Sequence, residues 1–156
     1  MTRQAGADMR GIDVDSMLCF DLYSTHHAVG QIYTPLLTPL GLTYPQYLVL
    51  VVLWRSDDLV VGEIGERLHL ESSTLTPLIK RLEGQGLVRR TRDARDERKV
   101  RVTLTPEGRA LRQQASHIPG CIMAAFGLPL DELIALHTTL GRVRASVLAR
   151  AAADGA

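Results

Sequence analysis

No uninterrupted apolar run exceeds seven residues, Leu48 to Trp54, against the roughly 18 that a membrane-spanning helix needs, so no segment is expected to cross a bilayer. The opening residues Met1 to Asp8 contain no apolar stretch of the signal-peptide kind, which makes the cytoplasm the expected location. Cysteine is scarce. The two present, Cys19 and Cys121, form no Cys-x-x-Cys, and thiols in a reducing compartment are reduced by default, so a disulfide framework is excluded. The histidines His26, His27, His69, His117 and His137 are scattered, and the adjacent pair lies about 100° apart on a helix, so no metal site and no cofactor are expected. Aromatic residues are only 4% of the chain. What is present is the composition of an ordinary folded domain: 156 residues, 46% apolar and 22% charged, enough to bury about two thirds of the unfolded surface.

Net charge is only +1, but its distribution is uneven. Residues 80–112 hold eleven Lys or Arg against five acids, a surplus of six, which leaves the remainder acidic. That asymmetry suits a surface facing a polyanion, although a charge run is also a common solvated face.

The apolar spacing predicts a first helix over 15–33, interrupted by Pro35 and Pro39, with a turn at Gly41. Thr43 and Gln46 form a capping-box pattern for a second helix, expected to turn Leu48, Val51 and Val52 inward and to end near Ser56. A short helix follows over 63–70, and Ser72 or Ser73 is placed to cap the next. There Leu75, Leu78, Ile79 and Leu82 fall at i, i+3, i+4 and i+7, so one face is buried, until Gly84 and Gly86 end the helix. The period then changes to two: Leu87 to Arg92 and Val100 to Leu104 read as a β-hairpin with a charged tip. Thr105-Pro106-Glu107 starts a long helix that Pro119-Gly120 bends or breaks, and a last helix runs over 130–151.

The expected architecture is therefore mainly α with a small β-hairpin wing. A winged helix-turn-helix over 43–104 is flanked by dimerisation helices over 14–42 and 105–152, with residues 1–13 a flexible N-terminus. In such a module the second helix fits the major groove of double-stranded DNA, and arginines on the wing reach the adjacent minor groove and phosphates. The candidate contacts are Ser72, Ser73, Thr74, Thr76, Pro77, Lys80 and Arg81 on the helix, and Arg92, Arg95, Asp96 and Arg98 on the wing, where Asp96 and Arg98 can brace each other. The flanking helices are most simply explained by a homodimer, which would set two recognition helices about 34–36 Å apart on palindromic DNA.

A second constellation joins cysteine and tyrosine. Cys19 falls in the first turns of helix one, after the possible caps Asp13, Asp15 and Ser16, where the positive end of the macrodipole favours a thiolate. All four tyrosines, Tyr23, Tyr33, Tyr44 and Tyr47, lie within 25 residues of one another, and a phenol can donate to a thiolate. Tyr23 is one turn beyond Cys19. Tyr33 is fourteen residues on, about 21 Å along a straight helix, so it meets Cys19 only from another subunit or through a sharp bend. Read from chemistry alone, Cys19 is a redox-active thiol or a small hydrophobe, and Met17 and Phe20 beside it are packing or the wall of an apolar pocket.

The stretch Asp96-Glu97-Arg98 followed by Val102-Thr103-Leu104-Thr105-Pro106-Glu107-Gly108 resembles the wing and following helix start of the multiple-antibiotic-resistance regulator (MarR) family. Further motifs resemble its organic-hydroperoxide-sensing branch: Leu18-Cys19-Phe20-Asp21-Leu22-Tyr23, Tyr33-Thr34-Pro35-Leu36-Leu37, Leu40-Gly41-Leu42-Thr43-Tyr44-Pro45-Gln46-Tyr47 and Ser73-Thr74-Leu75-Thr76-Pro77-Leu78. That resemblance implies a repressor, not an enzyme, released from operator DNA when an organic hydroperoxide oxidises Cys19 to a sulfenic acid. It implies further that Tyr33 and Tyr44 hold the Cys19 thiolate across a dimer interface, with Tyr23 close by. Cys121 resembles the resolving cysteine of a two-cysteine switch. Three other readings compete: a repressor released by an aromatic small molecule, a thiol peroxidase using Cys19, and a metal sensor.

Overall fold

The computed structural model describes residues 12–154; the expectation for residues 1–11 lies outside the described residues. Two compact units emerge, one ending at Ile122 and one beginning at Met123.

Helix α1 (Leu18–Leu37) follows a 3-10 turn at Val14–Ser16, and the caps expected for it serve that turn instead: the Asp13 carboxylate accepts from the Asp15 N–H at 3.2 Å. No side chain caps the first turn of α1. The helix also runs past the expected stop at Tyr33, because Pro35 costs it one backbone donor without ending it. The Thr34 and Thr38 hydroxyls bond back to the Gly30 and Thr34 carbonyls at 2.9 and 2.7 Å. A 3-10 turn at Thr38–Leu40 then leads to Gly41, whose φ of 68° turns the chain toward α2 (Tyr44–Arg55).

The predicted capping box of α2 is formed: Gln46 N–H donates to the Thr43 hydroxyl, and the Gln46 side-chain oxygen accepts from Thr43 N–H at 2.9 Å. The inward face is not the predicted one. Tyr47, Val49, Leu50 and Leu53 are buried, whereas Val51 is exposed and Leu48 and Val52 are only half-buried. In so apolar a helix, periodicity has no polar face against which to choose.

A strand missing from the sequence reading, β1 (Leu59–Val60), precedes α3 (Val61–Leu68), which starts two residues earlier than expected. Helix α4 (Ser72–Gly84) buries Leu75, Ile79 and Leu82 completely, with Leu78 packed at the edge. Gly65 allows the α3–α4 crossing, since a Cβ there would stand 2.6 Å from the Leu70 carbonyl oxygen. The wing strands β2 (Val88–Arg92) and β3 (Val100–Leu104) pair antiparallel with Arg90 opposite Val102. On its other side β3 pairs with β1, Leu59 opposite Val102, so the hairpin is part of a three-stranded sheet in the order β1-β3-β2.

The Thr105 hydroxyl caps α5 (Pro106–Gln114) as predicted, accepting from Gly108 N–H at 3.0 Å. Of the bend or break expected at Pro119-Gly120, the chain makes the break, at residues 115–117 just before α6 (Ile118–Phe126). Pro119 sits in the first turn of the new helix, where its missing N–H costs nothing, whereas in a continuous helix its ring would clash with the Ala115 carbonyl four residues back. One core unites the first unit: Leu37, Leu50, Leu53, Ile64, Leu75, Ile79, Leu82, Val102 and Ile118 are all at most 1% exposed. In the second unit, α7 (Leu130–Asp154) buries no residue, and Ile134, Leu136, Val147 and Leu148 stand exposed. No single helix among the described residues is long and apolar enough to cross a membrane.

Candidate DNA-binding face and thiol site

Helix α4 presents Ser72, Ser73, Thr74, Pro77, Lys80 and Arg81 to solvent. Neither serine caps it, contrary to expectation. Glu71 occupies the capping position, with no side-chain cap bond, and leaves Ser72 and Ser73 in the first turn, where hydroxyls can meet a phosphate. Thr76 differs: it is half-buried and its hydroxyl donates to the Ser72 carbonyl at 2.8 Å.

The wing begins at the end of β2 with Arg92 and turns through Asp93 to Lys99, closed by Asp93 N–H to the Lys99 carbonyl at 2.9 Å. Arg98 extends outward with its side chain 91% exposed, and Asp96 grips it through Nε at 3.0 Å and Nη2 at 3.3 Å, the brace expected from the sequence. The exposed Arg95 donates its backbone N–H to Asp93.

Sequence reasoning missed the root of the wing. Arg101, on the central strand, donates Nε to Asp58 Oδ1 at 2.8 Å, Nη2 to the Asp58 carbonyl at 2.7 Å and Nη1 to Asp93 Oδ2 at 2.7 Å. The Arg101 hydrogen bond, with the N–H groups of Arg95 and Asp96, pulls the Asp93 carboxyl down to about 2. Next to it, burial pushes Asp57 up, but hydrogen bonds from Leu104 N–H, Arg109 and Asp58 N–H outweigh burial and hold its carboxyl below the usual range. No local signal marks this network, because Asp58 and Arg101 are 43 residues apart.

Cys19 is the second residue of α1, free and exposed, with Met17, Phe20 and Tyr23 also at the surface. Tyr23 lies one turn on and meets the His27 ring edge-on at 4.6 Å between centroids. Tyr33 and Tyr44, both half-buried, come together at 4.4 Å, with Tyr47 6.0 Å from Tyr33. Burial, and then Tyr44 and Tyr47, push the Tyr33 phenol up to about 12, so it keeps its proton. The helix is unbroken from Cys19 to Tyr33, which removes the sharp bend as a route between them. Cys121, in the first turn of α6, is also free and exposed.

A groove of about 650 Å³ opens between α2 and the α5–α6 segment, lined by Tyr47, Val51, Trp54, Arg55, Arg112 and Pro119 among others. Among the described residues no three His, Cys, Asp or Glu side chains converge as metal ligands.

A helix-turn-helix with an exposed polar face, followed by an arginine-tipped wing, defines a winged helix-turn-helix protein of the DNA-binding class. Residues 31–115 match the family described as transcriptional regulator SarA/Rot. The chain is 50% identical over 138 residues to the HTH-type transcriptional regulator TtmR of Methylorubrum extorquens (strain PA1), covering 88% of this chain and 71% of that protein. It is 46% identical over 127 residues to the organic hydroperoxide resistance transcriptional regulator of Bacillus subtilis (strain 168), covering 81% of this chain and 86% of that one. Reduced AbfR bound to DNA superposes with a TM-score of 0.74 at 34% identity, over 86% of this chain and 94% of that one. The disulfide form of AbfR, a protein of Staphylococcus epidermidis, superposes with a TM-score of 0.61 at 34% identity, over 86% and 92%. The chain belongs to the SarA/Rot and MarR type of winged-helix transcriptional regulators.

Proposed function

We propose that this regulator is a redox-responsive repressor, not an enzyme, that binds a palindromic operator as a reduced homodimer and leaves it when an organic hydroperoxide oxidises Cys19. The observation that carries this reading is its 46% identity over 127 residues to a regulator of organic hydroperoxide resistance. An exposed thiol at an uncapped helix start supports it. Tyr33 lies too far along the same helix to serve that thiol, at about 21 Å, and Tyr44 packs on Tyr33 from the start of α2, so Tyr33 and Tyr44 of a second copy complete the site. Apolar side chains exposed on α1 and α7 then form the dimer interface, in keeping with dimerisation segments over 14–42 and 105–152.

The chemistry is balanced without a cofactor. The Cys19 thiolate attacks the terminal peroxide oxygen, the O–O bond breaks, and the alkoxide leaves and takes up a proton as an alcohol. Tyr33 and Tyr44 donate hydrogen bonds to the thiolate, with Tyr23 beside it, while Met17 and Phe20 take the apolar tail of the peroxide. The sulfenic acid then condenses with the Cys121 thiol of the second copy, releasing water and forming a disulfide. DNA is held by Ser72, Ser73, Thr74, Thr76, Pro77, Lys80 and Arg81 in the major groove, with Arg92, Arg95 and the Asp96-braced Arg98 at the wing. The crosslink shifts the two recognition helices off their half-site spacing.

The test is affinity for a selected duplex at fixed salt before one equivalent of cumene hydroperoxide, after it, and after dithiothreitol. Loss and recovery of binding with a reducible crosslink between chains is expected; tight binding that survives the peroxide overturns the reading. One observation favours a second reading, release by an aromatic carboxylate. The α2/α5–α6 groove pairs Tyr47 and Trp54 with Arg55 and Arg112, and a carboxylate that releases a peroxide-insensitive protein would establish it.

A further inference from the structure

Two acids at the root of the wing stand on a face that the reading above brings to a polyanion, where each negative charge works against binding. Their geometry supplies a reason. The Arg101 guanidinium spans the sheet, from Asp58 just before β1 to Asp93 just after β2, and all three of its nitrogens donate to these two residues at 2.7–2.8 Å. Its side chain is 32% exposed, against 91% for Arg98, so it faces the protein rather than the solvent. Asp58 adopts a φ of 60°, a left-handed conformation uncommon outside glycine, which is retained where surrounding bonds hold it. Asp93 continues the chain of contacts, accepting the Arg95 and Asp96 N–H groups at 2.8 and 3.1 Å, and Asp96 in turn grips Arg98.

We infer that Asp58, Arg101 and Asp93 form a clamp that fixes the wing against the helix-turn-helix, so that Arg101 positions Arg98 for DNA without touching DNA itself. The inference rests on the proposal that the wing meets DNA. Removing the clamp leaves the tip turn free to move, and Arg98 then spends its time away from the groove. Arg101 is thus a positioning residue, and the carboxylates that flank it strengthen DNA binding despite their sign.

The test is a double-mutant cycle on a duplex that the wild-type protein selects from a random-sequence pool. Arg98→Ala and Arg101→Met are each expected to weaken binding about tenfold or more, and the double variant no more than about twofold beyond Arg98→Ala alone. Arg101→Met is also expected to lower the salt slope by about one, as Arg98→Ala does, a change that lost global stability does not produce. Asp93→Asn gives an opposing-sign test that survives poor folding of Arg101→Met: bare electrostatics predicts tighter binding, the clamp weaker. Additive losses in the cycle, a salt slope unmoved by Arg101→Met, or tighter binding by Asp93→Asn overturns the clamp. Arg98→Ala without effect overturns the DNA role of the wing, whereas wild-type affinity in Arg101→Met alongside weak binding by Arg98→Ala overturns the clamp alone.

Discussion

The Trp54 indole N–H donates to the Gly108 carbonyl oxygen at 2.8 Å, tying the outer side of α2 to the first turn of α5, directly behind the wing. Gly108 is required there. A Cβ on it would stand 2.0 Å from the Leu87 carbonyl oxygen and 3.0 Å from its carbon, and both belong to backbone entering β2. In an open helix Gly→Ala gains up to about 1 kcal/mol, but Gly108→Ala is expected to cost about 1–3 kcal/mol through overpacking. Gly62→Ala, where the added methyl meets nothing within 4 Å, is the control expected to be neutral or stabilising. Urea unfolding followed by the fluorescence of Trp54, the single tryptophan, measures both.

The two cysteines are expected to separate into distinct roles. Cys19→Ser should bind the selected duplex as the wild type does and lose at least about tenfold in its response to cumene hydroperoxide. Cys121→Ser should still trap a sulfenic-acid probe at Cys19 but give no crosslinked dimer on a non-reducing gel. An inducible Cys19→Ser protein removes the sensor, and a crosslinked Cys121→Ser dimer removes the resolving step.

Much of this was legible from local pattern. The Thr43–Gln46 box, the Leu75–Ile79–Leu82 stripe and the Thr105 cap are each written within a few residues, and each forms as expected. What escaped depends on distant partners. Strand β1 is two residues long and is defined only by its pairing with Arg101 and Val102. The inner face of α2 is chosen by the core, not by its uniformly apolar sequence. Ser72 and Ser73 look like caps, yet Glu71 starts the helix. At the thiol site the residue types were readable, but Cys19 and Tyr33 share one unbroken helix, so the meeting proposed for them requires a second copy of the chain.

Tyr33 carries a prediction at high pH. Burial first, then Tyr44 and Tyr47, push its phenol up to about 12, while in the unfolded chain it titrates near 10. Between those values the unfolded state has lost a proton that the folded state keeps, so stability is full below about pH 10 and falls as pH rises toward about 12. Tyr33→Phe should flatten that fall in chemical denaturation series, and absorbance titration near 295 nm should lose a phenol that titrates at about 12. The same variant keeps the ring but no donor, so it should slow oxidation of Cys19 by peroxide.

Asp93 makes the opposite prediction at low pH. The Arg101 hydrogen bond, with those from Arg95 and Asp96 N–H, lowers its carboxyl to about 2, below the unfolded value near 3.8. The folded state therefore holds fewer protons between those values. Its contribution is fully present above about pH 4 and is lost as pH falls through about 2. Carboxyl-detected NMR of the folded protein should find Asp93 titrating last among the aspartates of the wing, with the Arg101 Nη1–H signal, whose hydrogen bond Asp93 accepts, disappearing over the same range. Arg101→Met removes the largest of these effects and should raise the Asp93 midpoint toward the ordinary carboxylate range. A midpoint that stays near 2 in that variant would mean that the Arg95 and Asp96 N–H groups hold the Asp93 carboxylate by themselves, without help from Arg101.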